Sequence, residues 1–132
     1  MLKLGIIVPC YNEEEALPET NRRLIEVINN LVRLGKITTD SMIFYVDDGS
    51  SDGTWQLIES LSIVNSLHIS GIKLSRNYGH QNAIVAGLFS AAGDALITID
   101  ADLQDDVNAI EAMIDKYLAG SEIVYGVRNN RE

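Results

Sequence analysis

The residues best suited to chemistry in this sequence are Asp100, Asp102 and Gln104. They follow the apolar run Ala-Leu-Ile-Thr-Ile, and in an extended segment residues two apart project to the same side. Two carboxylates and an amide can therefore converge, and this all-oxygen set suits Mg²⁺ or Mn²⁺ but not zinc or copper. The alternative, that the acids only cap the following helix, is preferred for Asp105 and Asp106 alone.

A second acidic pair, Asp47 and Asp48, precedes the turn sequence GSSDG. Adjacent acids at a strand end are costly unless something bonds them. Asp48 is therefore a candidate acceptor for a nucleobase N–H or a ribose hydroxyl, a role that predicts an intact fold when its side chain is removed. Turn and cap roles account for Ser51 and Asp52. No strand is followed by GxGxxG, which disfavours an NAD enzyme.

The loop after the first predicted strand contains Pro9, Tyr11, Asn12 and Glu13. Tyr11 can present its ring to a nucleobase, whereas an ordinary loop role explains Asn12.

Several other cationic and titratable side chains have weaker indications. Arg76 and Arg128 lie where cations can offset the charge of a diphosphate, and Arg128 is the stronger candidate. His68 and His80 have no partner at catalytic spacing and are interpreted as a strand residue and a helix-start residue. Cys10 is interpreted as a packing residue.

The elements that position these residues follow from alternating short apolar runs and longer stretches of helical period. The predicted strands are 3–8, 42–47, 68–74, 95–100 and 122–127, and the predicted helices are 18–34, 54–63, 80–92 and a last one from about 105 to 119. Right-handed crossovers through helices favour parallel neighbours, so the predicted class is α/β with a parallel-rich sheet. Such sheets bind ligands at the carboxyl ends of their strands, where the polar residues above lie.

Length and composition further limit the classes of protein to which the chain can belong. With 132 residues, 46% of them hydrophobic, the chain has the size of one domain. A net charge of -9 argues against nucleic-acid binding, because it repels the phosphate backbone. The single cysteine permits no intramolecular disulfide and favours a reducing, cytoplasmic compartment. The apolar stretch 82–99 is interrupted by Gly93 and Asp94, so it is interpreted as helix, turn and strand rather than a membrane span.

Five motifs together resemble the family-2 glycosyltransferases of the GT-A (nucleotide-diphospho-sugar transferase) fold. They are IIVPCYNEEEALP, VDDGSSDGTW, KLSRNYGHQNAIVAGL, GDALITIDADLQD and IVYGVRNNRE. Within the family the chain is most similar to polyprenyl-phosphate glycosyltransferases, the group of dolichyl-phosphate mannosyltransferase and bactoprenol glucosyltransferase. The resemblance implies a central parallel-rich sheet flanked by helices and cut off after the fifth strand, with residues 1–132 forming the N-terminal, donor-binding part of a catalytic domain.

The resemblance also implies roles for individual residues. The nucleotide of a sugar donor, linked through UDP or GDP, is held by Pro9, Tyr11, Glu13 and Asp48, with Asp100 and the Ala101 backbone beside it. Asp100, Asp102 and Gln104 match the family's metal-binding DXD stretch, for Mg²⁺ or Mn²⁺, and Asp102 and Arg128 are assigned to catalysis. Asp105-Asp106-Val107-Asn108 replaces the family's usual prolines, which we interpret as a changed helix entry.

The implied reaction is transfer of a sugar with inversion, to an undecaprenyl or dolichyl phosphate, in the synthesis of cell-envelope glycans. A lipid phosphate is already an anionic nucleophile and needs no general base. The expected site of action is the cytoplasm, at the cytoplasmic face of the membrane for a longer parent chain. Because the sequence stops at Glu132, we expect the segment alone to bind donor without transferring sugar, and uncovered apolar surface favours self-association into a homo-oligomer.

Three alternatives remain open at this point. A family-2 enzyme can act on a saccharide hydroxyl instead of a lipid phosphate. A receiver-type signalling domain shares the length, the βα alternation and an acidic Mg²⁺ pocket, but its acids end the first strand, which here ends in Pro9-Cys10-Tyr11. The third alternative is an inactive nucleotide-binding module.

Overall fold

The computed structural model describes residues 1–102 and 109–120 of the chain. This part contains four strands and four helices that alternate along the chain. Their bounds are β1 Leu4–Cys10, α1 Leu17–Arg33, β2 Met42–Asp47, α2 Thr54–Val64, β3 Ile69–Lys73, α3 His80–Ser90, β4 Ala95–Thr98 and α4 Ala109–Leu118. The predicted fifth strand, 122–127, lies outside the described residues, as does the predicted start of the last helix at Asp105. Among the described residues, no helix is both long and apolar enough to cross a bilayer.

The strands form one sheet in the order β3-β2-β1-β4, and all of the neighbouring pairs are parallel. This architecture confirms the α/β class and the parallel sheet flanked by helices. β1 lies inside the sheet, and all seven of its residues are buried. Since β2 and β3 extend the sheet on one side of β1 and β4 pairs on the other, the strand order reverses next to β1. A crevice at such a reversal is the usual ligand site of an open α/β sheet.

Helices cover both faces of β1 because successive strand side chains point in opposite directions. Leu4, Ile6 and Val8 belong to the larger core, which also contains the buried stripe of α1. Ile7 belongs to a second core with Ala83 of α3. A Cβ added to Gly87 of α3 would lie 2.5 Å from Ile7 Cγ2, so this glycine is what lets α3 approach β1 closely.

Two strand ends differ from the sequence prediction by two residues, and three others differ by one. β1 continues past Val8 because Pro9 and Cys10 still pair with β2, opposite Val46 and Asp47. β4 ends at Thr98 rather than Asp100, since its ladder with β1 stops at the Ile7–Thr98 pair. Asp100 and Asp102 therefore lie in the turn after β4, and the turn rather than strand alternation sets how their carboxylates are placed.

Pro9 lies where β1 and β4 separate. The Ile7 carbonyl accepts the N–H of Ile99, so odd-numbered residues of β1 direct their backbone polar groups toward β4. Pro9 has the same orientation but has no N–H, and a proline there leaves no donor unpaired beside the gap. The sequence thus ends the β1–β4 ladder without an orphaned amide and opens the crevice.

Candidate functional site

A cleft of about 530 Å³ occupies this crevice at the carboxyl edge of the sheet. It is bounded by the ends of β1, β2 and β4 and by the loop between β3 and α3. The residues that line it are Pro9, Cys10, Tyr11, Glu13, Asp48, Asn77, Gly79, His80, Gln81, Asp100, Ala101 and Asp102. Every predicted site residue within the described part of the chain is in this set except Arg76, the weaker of the two arginine candidates. Gln104 and Arg128 lie outside the described residues.

The loop after β1 is fastened to the loop after β2. Asn12 adopts a left-handed backbone conformation with φ of 53°, which asparagine tolerates better than most residues. Its N–H donates to Ser50 Oγ at 2.9 Å, and its side-chain oxygen accepts the Ser51 N–H at 2.8 Å. The N–H of Glu13 donates to Thr54 Oγ1 at 2.9 Å. These bonds confirm a structural role for Asn12 and leave the half-exposed ring of Tyr11 at the mouth of the cleft.

The acids at the end of β2 are satisfied by backbone amides. Asp48 is 3% exposed, and its two carboxylate oxygens accept the N–H groups of Tyr78 and Gly79 at 2.8 and 3.2 Å. Asp47 accepts the N–H of Ser50 at 3.3 Å. Asp48 has the bonding partners that the sequence argument requires of adjacent acids, and they lie in the loop after β3. These bonds indicate that Asp48 also supports the fold, so we no longer expect an intact fold after loss of its side chain.

Gly49 makes this arrangement possible. Its φ of +73° is a conformation that residues with a Cβ rarely adopt. A Cβ at this position would lie 2.3 Å from the backbone N of Asn77 and 2.4 Å from the carbonyl carbon of Arg76. The loops after β2 and β3 thus touch through backbone atoms, and only glycine fits between them.

Three acidic side chains, those of Glu13, Asp100 and Asp102, lie near one another in the cleft. Burial raises the pKa of the Glu13 carboxyl, and the negative charges of Asp102 and Asp100 raise it further. Asp100 is mostly buried, and its Oδ1 lies 3.8 Å from Nε2 of His80. Three acids that repel one another in this way favour a cation among them.

A hydrogen bond from α1 holds the turn that carries Asp100 and Asp102. The hydroxyl of Thr20, a buried residue in the first turns of the helix, donates to the carbonyl oxygen of Ala101 at 2.5 Å. Ala101 is 2% exposed, so the turn packs against the core while its two flanking carboxylates line the cleft.

The donor atoms of the turn fit a hard divalent cation. Within 1–102 and 109–120, no three His, Cys, Asp or Glu side chains form a group able to hold a metal ion. Mg²⁺, however, binds to one or two carboxylates together with water and substrate phosphates rather than to a complete protein cage. Asp100 and Asp102 supply that number of carboxylates, with a third acid, Glu13, close enough to feel their charge.

Cys10 lines the cleft without suiting a chemical role. Burial and the neighbouring charges of Glu13 and Asp47 raise the pKa of its thiol far above the usual range, so the reactive thiolate is suppressed. Its interpretation as a packing residue agrees with its position in the larger core.

Sequence reasoning gave no site role to four residues that line the cleft, Asn77, Gly79, His80 and Gln81, or to the supporting Thr20. The four residues line the cleft because α3 begins at the same edge at which β3 ends. A signal was available, since a helix that follows a parallel strand starts at the carboxyl edge. The Thr20–Ala101 bond spans 81 positions and leaves no local signal. Arg76 is exposed, and its guanidinium lies 4.6 Å from the centre of the Tyr78 ring.

Comparison with known proteins adds independent information. Residues 5–132 match the family described as Glycosyl transferase family 2. The chain is 50% identical over 131 residues to the uncharacterized glycosyltransferase YkoT of Bacillus subtilis (strain 168). The aligned region covers 98% of this chain and 39% of YkoT. The chain thus spans about two fifths of the length of this relative.

Solved structures share the fold. A mannosyltransferase of Pyrobaculum calidifontis, PcManGT, in complex with GDP-Man and Mn²⁺, superposes with a TM-score of 0.65 at 23% identity, over 76% of this chain and 28% of its own. TarS of S. aureus superposes with a TM-score of 0.60 at 27% identity, over 88% of this chain and 20% of its own. A shorter TarS structure in complex with UDP has a TM-score of 0.55.

Proposed function

The chain belongs to glycosyl transferase family 2, and from this membership we propose that it binds a nucleoside-diphosphate sugar and takes part in transferring the sugar, with inversion, to a polyprenyl phosphate. The observation that carries the proposal is the cleft at the strand-order reversal, where Tyr11 and the Asp100–Asp102 turn lie on facing loops. An aromatic ring at one wall suits a nucleobase, and a pair of carboxylates at the other suits the cation of a diphosphate.

Two structural neighbours support the proposed classes of ligand. PcManGT binds GDP-Man and Mn²⁺, and TarS binds UDP. By analogy we assign the nucleotide of a UDP- or GDP-linked donor to the side of Pro9, Tyr11 and Asp48. Asp48 contributes through the backbone of Tyr78 and Gly79, which its carboxylate holds at the rim.

We assign Mg²⁺ or Mn²⁺ to Asp100 and Asp102, and Gln104 remains a predicted third ligand outside the described residues. When bound, the cation stabilises the negative charge that develops on the departing diphosphate. The residues of the chain orient the donor: Tyr11 stacks on the base, and the Ala101 backbone lies beside the sugar-diphosphate. Arg128 keeps its predicted role as a second source of positive charge. An acidic chain of net charge -9 needs such local cations to bind an anionic donor.

The polyprenyl-phosphate acceptor is proposed from the five-motif resemblance and from chemistry. A phosphate anion attacks without losing a proton, whereas a saccharide hydroxyl requires a general base. With such a lipid as acceptor, we propose that the protein acts at the cytoplasmic face of the membrane. Because the segment alone is expected to bind donor without transferring sugar, the acceptor test uses a longer parent chain. Radiolabelled UDP- and GDP-sugars are offered to it with a short polyprenyl phosphate or with an oligosaccharide, and label enters the organic phase with the lipid alone.

Donor and cation binding are tested by calorimetry on the 132-residue chain. We expect UDP or GDP to bind in Mg²⁺ or Mn²⁺ and to lose roughly tenfold or more in affinity in a chelator, the loss of a charged interaction of about 1.5 to 3 kcal/mol. Asp102→Asn should reproduce the loss in the presence of the cation.

The matched control is Asp40→Asn, which removes the same charge from an exposed acid beside Lys3, at the amino-terminal edge of the sheet. It should bind nucleotide as the unmodified chain does. Equal affinity with and without chelator, in folded protein, would contradict the metal assignment, and the absence of any nucleotide binding would contradict the proposed function itself.

A further inference from the structure

We propose that Thr20 is a positioning residue whose hydroxyl fixes the Asp100–Asp102 turn in the shape that presents both carboxylates to the donor's cation. The inference rests on the proposed function, and it concerns a residue in α1 that does not line the cleft.

Thr20 is the polar member of an otherwise apolar stripe. The buried residues of α1 are Leu17, Thr20, Leu24, Ile28 and Leu31, at the spacing of one helix face. Threonine hydroxyls in helices commonly bond a carbonyl of the preceding turn. The Thr20 hydroxyl donates instead to Ala101, 81 positions away.

The accepting atom is the carbonyl that lies between the two carboxylate-bearing residues. Thr20 is 1% and Ala101 2% exposed, so water does not readily replace the hydroxyl as a donor. Without the hydroxyl, the Ala101 carbonyl loses its buried hydrogen-bond donor, and the turn lowers its free energy by rotating this carbonyl toward another donor. Because Asp100 and Asp102 flank this peptide, a rotation displaces both side chains together.

The electrostatics of the cleft act against the turn. Asp100, Asp102 and Glu13 carry like charges, and the raised pKa of the Glu13 carboxyl reflects both burial and this repulsion. A bond from the neutral Thr20 hydroxyl holds the turn in place without neutralising either acid. Mg²⁺ demands nearly octahedral geometry, so a small displacement of one carboxylate is sufficient to weaken its binding.

Two substitutions separate the hydroxyl from the packing of the side chain. Thr20→Val keeps the shape and removes the O–H, whereas Thr20→Ser keeps the O–H and removes a buried methyl group. Mn²⁺ binding in the presence of UDP or GDP is measured by calorimetry, and the free energy of unfolding by urea titration. We expect Thr20→Val to bind Mn²⁺ roughly tenfold more weakly, as the loss of one buried hydrogen bond implies. Thr20→Ser should stay within about twofold of the unmodified chain, although its lost methyl group lowers stability.

The comparison of the two variants decides the role. Weak Mn²⁺ binding by the valine variant with retention by the serine variant supports the proposal, because a merely structural role would make affinity follow stability. Wild-type affinity in Thr20→Val, or equal losses in both variants, would overturn it. If the unmodified chain binds nucleotide without Mn²⁺, the metal assignment fails and this inference with it, whereas no nucleotide binding at all marks failure of the proposed function.

Discussion

The two sides of the cleft are stabilised in opposite ways. On the side of β1 and β2, the polar groups of the loops bond one another, as Asn12 does with Ser50 and Ser51. On the side of β4, the carboxylates of Asp100 and Asp102 raise the pKa of Glu13 through repulsion. The described polar groups of the first side bond one another, whereas the acids of the second side repel Glu13, so a cation among them is favourable. The contrast indicates that the first side fixes the shape of the cleft and that the second side binds the proposed cation.

The largest expected effect tests how strongly the first side depends on backbone contact. Gly49→Ala should lower the free energy of unfolding by about 3 kcal/mol or more, because it combines left-handed strain with overpacking against the loop after β3. Gly35 is a matched control, since its φ is +74° but no described residue lies within 4 Å of a Cβ built there. Gly35→Ala should cost about 1 to 2 kcal/mol from strain alone. Equal losses in urea titrations would show that the loops do not touch as the structure indicates.

An intermediate effect is expected at Asp48, which belongs to the first side although it lines the cleft. Asp48→Ala removes the acceptor of two backbone N–H groups and should cost about 3 kcal/mol, within the range for bonds to a charged group. Asp48→Asn keeps one acceptor oxygen and should lose about half as much. Amide exchange of Tyr78 and Gly79 should rise in both variants. An alanine variant as stable as the unmodified chain would return Asp48 to a purely ligand-binding role.

The smallest effect has the opposite sign and tests the second side. At neutral pH the charged Glu13 is less favourable in the folded chain than in the unfolded one, because its pKa is raised. Glu13→Gln should therefore stabilise the metal-free chain, by less than about 1 kcal/mol because water partly screens the repulsion. Adding Mg²⁺ with nucleotide should remove the advantage.

Glu14 provides the control for this substitution. Its carboxylate accepts the N–H of Gly53 at 3.3 Å, so it belongs to the first side, on which the loops bond one another. Glu14→Gln should bring no gain in the free energy of unfolding. A gain of similar size in both glutamine variants would show that net charge, rather than local repulsion, is responsible.

Within the described residues, sequence reasoning predicted the elements and the edge on which the cleft lies, because those depend on periodic patterns. β2 has the predicted bounds, and the buried stripe of α1 follows the helical period. Asp100, Asp102, Tyr11 and Glu13 line one cleft, as their positions at the carboxyl ends of parallel strands predict.

Contacts between distant residues could not be predicted in the same way. The partners of Asp48 lie in another loop, and the donor to Ala101 lies in α1, so neither has a local pattern. The end of β4 at Thr98 depends on where β1 stops pairing with it. The residues of β4 alone contain no information about that position. His80 lines the cleft through the topology of α3 rather than through a catalytic spacing.

The strand order also sets the order in which the cleft can fold. On the β2 side, Leu4 bonds Ser41, 37 positions away, whereas on the β4 side Lys3 bonds Asp94, 91 positions away. Shorter loops close at a lower entropic cost, so we expect β1 and β2 to pair first and β4 to join last. Pulsed hydrogen exchange during refolding should show protection of β2 amides before those of β4. The acidic turn then meets Glu13 only after the apolar ladder has formed, and the early steps of folding proceed without its repulsion.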